Sequence, residues 1–201
     1  MDDLASQSFS EPERAIMKAT YQVLCEYGYA DLTIQQIADE YGKTTTAVHY
    51  HYDTKDKLLT AFLDYLLEEL ADSVHNIRTT NPENRLKLLL DELLVKSENE
   101  PALSIALLEM QSQTPYKEPF RERFKQIDEY IRYSIKTVVS DGIDKGVFND
   151  VDADRIARSL MIIVNGGRIR AVVLDDMDNL EIARQAAHNY VNLILQGPAA
   201  E

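Results

Sequence analysis

Apolar residues recur along this chain at spacings of three and four and never in sustained alternation, a period that predicts helices throughout, broken at proline and glycine. Over residues 11–27 one face carries Ile16, Thr20, Val23, Leu24 and Tyr27, with Pro12 suited to a first turn and Gly28 to an end. Ile34, Ile37, Ala38 and Tyr41 follow at i, i+3, i+4 and i+7, and Thr33 with Gln36 three residues on forms a capping box that starts this helix. Gly42 can take the left-handed conformation that stops it. Thr44, Thr45 and Thr46 then offer hydroxyl caps to a short helix over residues 45–51, and Asp53 and Thr54 cap another beginning at Lys55. That last face runs on through Leu58, Phe62, Tyr65, Leu66 and Leu70 to about residue 76, further than a three-helix head requires.

Past Asn81-Pro82 the pattern predicts helices over residues 83–99, from Pro101 onward, and from Phe120 to the glycines at 142 and 146, with Pro115 and Pro119 marking a loop. Two more are expected over residues 152–174 and 179–196, and their apolar surface looks wider than one seam within the chain needs. The expected architecture is all-α: a helix-turn-helix domain over residues 1–54 and a helical domain over residues 55–201.

The short helix at 45–51 buries little beyond Ala47 and Val48 while turning Thr46, His49, Tyr50 and His51 outward, side chains able to reach base edges and phosphates. At Lys55 the ammonium and the N–H groups of a first helical turn can meet a phosphate together. This stretch resembles the N-terminal signature of the tetracycline-repressor (TetR) family of dimeric regulators, through Thr33, Ile37, Ala38, Gly42, His51, Tyr52, Lys55 and Leu58. It departs at Lys43, Thr45 and His49, where the family favours an apolar residue, lysine and tyrosine. The resemblance implies that Thr46 and His49 face bases and that Thr33, Thr44, Tyr50, His51 and Lys55 hold phosphates; Lys43 and Thr45, beside them at the turn, are further candidates for contact with DNA.

What else follows from the resemblance lies in the second domain. An effector cavity is implied among the helices holding Phe62, Tyr65, Leu107, Met110 and Phe124, and Ile127, Tyr130, Met161 and Asn165. Its lining favours a small hydrophobic or amphipathic molecule. The last two helices are implied to pair with their copies in a homodimer, through Ile163, Gly166, Gly167 and Arg170, and Ala183, Ala187, Tyr190, Val191 and Ile194. If they only complete the monomer core, Gly166-Gly167 remains a candidate kink. The partners expected are a double-stranded, pseudo-palindromic DNA operator, a small-molecule effector and a second copy of the chain. No cofactor is expected.

Charge opposes this reading. The chain has 21 basic and 34 acidic residues, a net −13, and residues 1–58 alone hold five basic and ten acidic side chains. Either few phosphates are contacted, or the protein works at high ionic strength, as in a halophilic archaeon, where repulsion is screened. The same acidity leaves room for a rival, a helical small-molecule or protein-binding module whose helix-turn-helix does not hold DNA. His49, His51 and Asp53 would share one side of a strand, but residues two apart on a helix diverge, so no metal site is expected. Nucleophile elbows, phosphate loops and dinucleotide fingerprints are missing, which argues against an enzyme. The single Cys25 permits no internal disulfide, and neither a signal peptide nor an apolar run of membrane length is apparent, so the expected location is the cytoplasm.

Overall fold

A computed structural model describes residues 9–195, apart from the side chains at 95–97 and 194–195, and every regular element among the described residues is helical. In chain order these are α1 (Glu11–Asp31), α2 (Ile34–Tyr41), α3 (Thr45–His51), α4 (Lys55–His75), α5 (Pro82–Asn99), α6 (Pro101–Ser112), α7 (Glu118–Asp144), α8 (Ala153–Val173) and α9 (Asp178–Tyr190), closed by a π turn at Val191–Leu195. None of them is long and apolar enough to cross a membrane.

Local chemistry sets most of these bounds. Pro82 and Pro101 occupy first helical positions, where a missing N–H costs nothing. Asp152 caps α8 by accepting from the N–H groups of Asp154 and Arg155 at 3.0 and 3.1 Å. Pro119 lies inside the first turn of α7 and so starts that helix instead of belonging to the loop before it. At Gly28 regular helix stops as expected, with φ 72° and ψ 178°, but a short turn at residues 29–31 extends the element to Asp31.

The chain divides into two compact units, Met1–Asp72 with Ala102–Lys125 and Ser73–Pro101 with Gln126–Glu201. The division departs from the boundary expected at 54/55, because most of α4, α6 and the start of α7 pack with the head. In the first unit Ile16, Met17, Val23 and Leu24 of α1 are buried with Ile37, Ala38, Val48 and Leu58. Thr20 is fully buried on the same face, and its hydroxyl donates to the Ile16 carbonyl at 2.8 Å, so the core contains no unsatisfied group there.

In the second unit α8 and α9 meet closely. A Cβ at Gly167 would lie 2.3 Å from the Ala183 Cβ and 3.0 Å from the Asn179 carbonyl oxygen. Gly167, Ala183, Ala187 and Val191 are buried within the one chain, although they were expected to face a partner. Gly166-Gly167 does not kink α8, which runs unbroken from Ala153 to Val173. Of the other residues expected at a dimer face, Gly166 and Arg170 are exposed, Ile163 and Tyr190 are half-buried, and Ile194 lies outside the described side chains. The exposed apolar row of these helices consists instead of Ile162 at 73% and Ile182 at 62%, with Ile169 and Val173.

Candidate nucleic-acid interface

The Thr33 hydroxyl accepts from the Gln36 N–H at 3.2 Å, and the Gln36 side chain accepts from the Thr33 N–H at 2.7 Å. These reciprocal bonds fix where α2 begins. Gly42, at φ 71° and ψ 28°, sends its N–H back to α2 and turns the chain. Thr44 then caps α3, accepting from the Ala47 N–H at 3.3 Å. Val48 is fully buried beneath α3, which fixes the helix's rotation and leaves Lys43, Thr44, Thr46, His49 and Tyr50 exposed. Tyr50 is 86% exposed, an unusual position for so large a ring unless something covers it. Thr45 and His51 are half-buried.

His51 is held by neighbours. Its ring lies edge-on to Tyr50, 5.2 Å between centroids, and its Nδ1 is 3.9 Å from Glu13 of α1. Tyr52 is buried next to it, and burial, with the nearby Glu13 and Asp64 carboxylates, pushes its phenol up to about 12. Tyr52 is therefore a neutral packing residue at any working pH.

Lys55 takes a course the sequence did not announce. Its Nζ donates to the carbonyls of Tyr29 and Leu32 at 2.9 and 2.7 Å and lies 5.1 Å from the centre of the Tyr29 ring. Desolvation, with Lys117 close by, lowers its ammonium below the usual lysine value. The ammonium thus closes the end of α1, and what α4 presents outward at this point is its backbone. Lys57 pairs with Asp53 at 2.5 Å, which holds the Asp53 carboxyl low. Lys43 has no ion-pair partner among the described residues, so the reading surface is mostly hydroxyl, imidazole and phenol.

Glu109 of α6 is a residue that sequence reasoning missed. Its Oε2 accepts from the Tyr29 N–H at 2.8 Å, just past the kink at Gly28, where a Cβ would approach the same oxygen to 3.1 Å. Lys117 reaches Asp56 of α4 at 2.5 Å, and Arg123 reaches Asp64 at 2.5 Å. Three charged contacts therefore fasten α6 and the start of α7 to the head and α4. The only local signal was Gly28 itself, which marked the break but not the carboxylate 80 residues away.

The nine residues expected to line one effector cavity fall in both units. Phe62 and Met110 are fully buried and Tyr65 nearly so, while Leu107 and Phe124 are half-buried. In the second unit Met161 is buried, Ile127 is half-buried and Asn165 is exposed. Tyr130 lines a half-open groove of about 200 Å³ with Arg85, Leu89, Tyr133 and Val138.

Residues 16–62 match the family model described as bacterial regulatory proteins, tetR family, and residues 82–196 match the BetI-type transcriptional repressor C-terminal domain. Among solved structures, a TetR transcription regulator from Haloarcula marismortui is 63% identical, with a TM-score of 0.89 over 94% of this chain and all of that one. A transcriptional regulator from Saccharomonospora viridis, crystallised with choline, superposes with a TM-score of 0.80 at 21% identity, over 93% of this chain and 98% of that one. The HTH-type transcriptional regulator BetI of Stenotrophomonas maltophilia is 26% identical over 94% of this chain and 96% of its own length.

Proposed function

We propose, from the premise that this chain belongs to the TetR family of transcriptional regulators, that it is a homodimeric repressor which holds a pseudo-palindromic operator and leaves it when a small, largely apolar effector binds. The observation that carries the reading is α3 itself. A capped seven-residue helix, rotationally locked by Val48, holds Thr46, His49 and Tyr50 outward and exposed among the described residues. Thr46 and His49 read bases. Thr33, Lys43, Thr44, Thr45, Tyr50, His51 and the main-chain N–H groups at the start of α4, that of Lys55 included, position the head on phosphates, while the Lys55 ammonium stays inside the head.

One such helix offers few contacts, so two copies reading half-sites about 34 to 36 Å apart, or a multiple of that, supply the affinity. The exposed row Ile162, Ile169, Val173 and Ile182 supports an isologous pairing through α8 and α9. Effector binding works by preferring a head spacing that DNA does not accept. The Glu109, Lys117 and Arg123 contacts make the head move with α6 and the start of α7. With so few free cations on the reading face, the protein suits a cytoplasm of high ionic strength, where a long row of lysines would gain little.

The test is recovery of bound fragments from the native genome, followed by titration of the recovered site across KCl concentrations. The expected slope of log affinity against log salt is shallow, about −2 to −4 for a dimer contacting two to four phosphates through cations. Lys43→Ala should flatten it by roughly 1 for each phosphate contact removed. His49→Ala should change the preferred bases while leaving the slope alone. Retention of no fragment at any salt concentration would move the chain to the rival class, a helical module that does not hold DNA.

A further inference from the structure

We propose that the groove of the second unit is a binding site for a small amphipathic anion, an apolar body carrying one carboxylate, which Arg85 receives. The groove lies among the last turn of α4, the first turns of α5 and the middle of α7. Its floor is apolar, since Leu89 and Val138 are almost wholly buried. Its rim is polar, with Arg85 joined by His75 and Ser134. An apolar floor below convergent polar groups is the general form of a small-molecule site.

The arginine decides the sign of the ligand. In a chain of net charge −13, Arg132 and Arg158 of this unit are drawn onto Asp154, and Arg184 onto Glu181 and Asp91. Arg78, Arg85, Arg155 and Arg170 have no ion pair among the described residues, and of these Arg85 is the one that lines the groove. Glu83, the nearest acid in sequence on α5, is paired with Lys87 at 2.6 Å. Arg85 has no ion-pair partner among the described residues, although it lines a groove where a carboxylate would be partly shielded from water. A cationic ligand would meet this guanidinium as a like charge. One planar guanidinium matches one carboxylate through two parallel N–H bonds, and the apolar floor favours a carboxylate on a hydrocarbon body over a more strongly hydrated phosphate. At about 200 Å³ the space is below the roughly 300 to 1,000 Å³ of drug-sized pockets, which limits the body to about one ring or a short chain.

The site stands on the groove alone. Its effect on operator binding rests on the effector-responsive reading above, and the experiment separates the two. Calorimetric titration of the full chain, at one fixed chloride concentration, compares benzoate with its neutral isostere benzamide and with choline as a cation. Benzoate is expected to bind at least tenfold more tightly than benzamide, and choline not to bind in the groove. Arg85→Gln should bring benzoate affinity down to about that of benzamide while leaving thermal unfolding unchanged, and Arg85→Lys should restore part of the preference. Equal affinities for benzoate and benzamide, or a preference that survives Arg85→Gln, would overturn the site. Operator affinity measured with and without benzoate provides the other arm. Arg85-dependent binding that leaves the operator bound supports the groove and counts only against its regulatory role.

Discussion

The turn between α2 and α3 and the seam between α8 and α9 both depend on glycine, yet the two regions are held by opposite means. In the turn, Gly42 supplies a left-handed backbone and hydrogen bonds between residues at most five apart complete the geometry. In the seam, Gly167 contributes only its missing side chain, so that α9 can bring Ala183 against α8. The turn is thus a matter of local bonds and the seam a matter of distant packing. The first should tolerate change in its surroundings and the second should not.

The largest effect is therefore expected in the seam. Gly167→Ala places a methyl group where the Ala183 Cβ and the Asn179 carbonyl leave no room, and backbone oxygen cannot rotate away. Overpacking of this kind costs about 1 to 3 kcal/mol, and the backbone contact puts this case near 3. In denaturant unfolding, combining Gly167→Ala with Ala183→Gly should recover the part of the loss that comes from the Cβ–Cβ contact, while the Asn179 carbonyl contact remains. A single variant with wild-type stability would show that the helices can separate, and the contrast with the turn would fail.

Lys55→Met probes the edge of the head. It strands the carbonyls of Tyr29 and Leu32, each of which accepts a charge-assisted bond, so stability should fall by about 2 kcal/mol. The salt slope of operator binding should be unchanged, since this ammonium points into the head. A flatter slope with unaltered stability would instead make the side chain a phosphate contact. Thr44→Ala removes one cap from α3 and should cost about 1 kcal/mol. Because that cap lies on the reading face, operator affinity should drop as well, and an unaffected helix would mean that Val48 alone holds α3 in place.

These contrasts explain what could be read from residue order. Thr33 and Gln36, or Pro82 and Pro101, announce helix starts because the groups they satisfy lie within one turn of them. The outward row on α3 was visible for the same reason, as the complement of Val48 on a short helix. Lys55 was legible as a helix start but not as an internal donor, because its acceptors are 23 and 26 residues upstream. Glu109 and Arg85 are ordinary surface charges by pattern; only the fold brings one to the Gly28 kink and the other to a groove. Gly167, Ala183 and Ala187 were placed at a contact between helices, but sequence could not say whether the approaching helix belonged to the same chain.

The smallest effect concerns the other end of α1, where a local bond carries a charge. Glu13 accepts from the hydroxyl and the N–H of Ser10 at 2.6 and 2.9 Å, bonds that hold its carboxyl below the ordinary value, with a further contribution from His51. A folded-state pKa below that of the unfolded chain means that the unfolded state binds more protons on acidification. The contribution is therefore complete above the unfolded value, about 4.5, and disappears as pH falls through the lower folded one. Ser10→Ala should narrow the stability gap to wild type as pH drops from neutral to about 3, because protonation removes in the parent what the substitution has already removed. A gap of constant size across that range would mean that the hydroxyl acts only as packing, and would take this cap out of the class of local bonds to which the turn belongs.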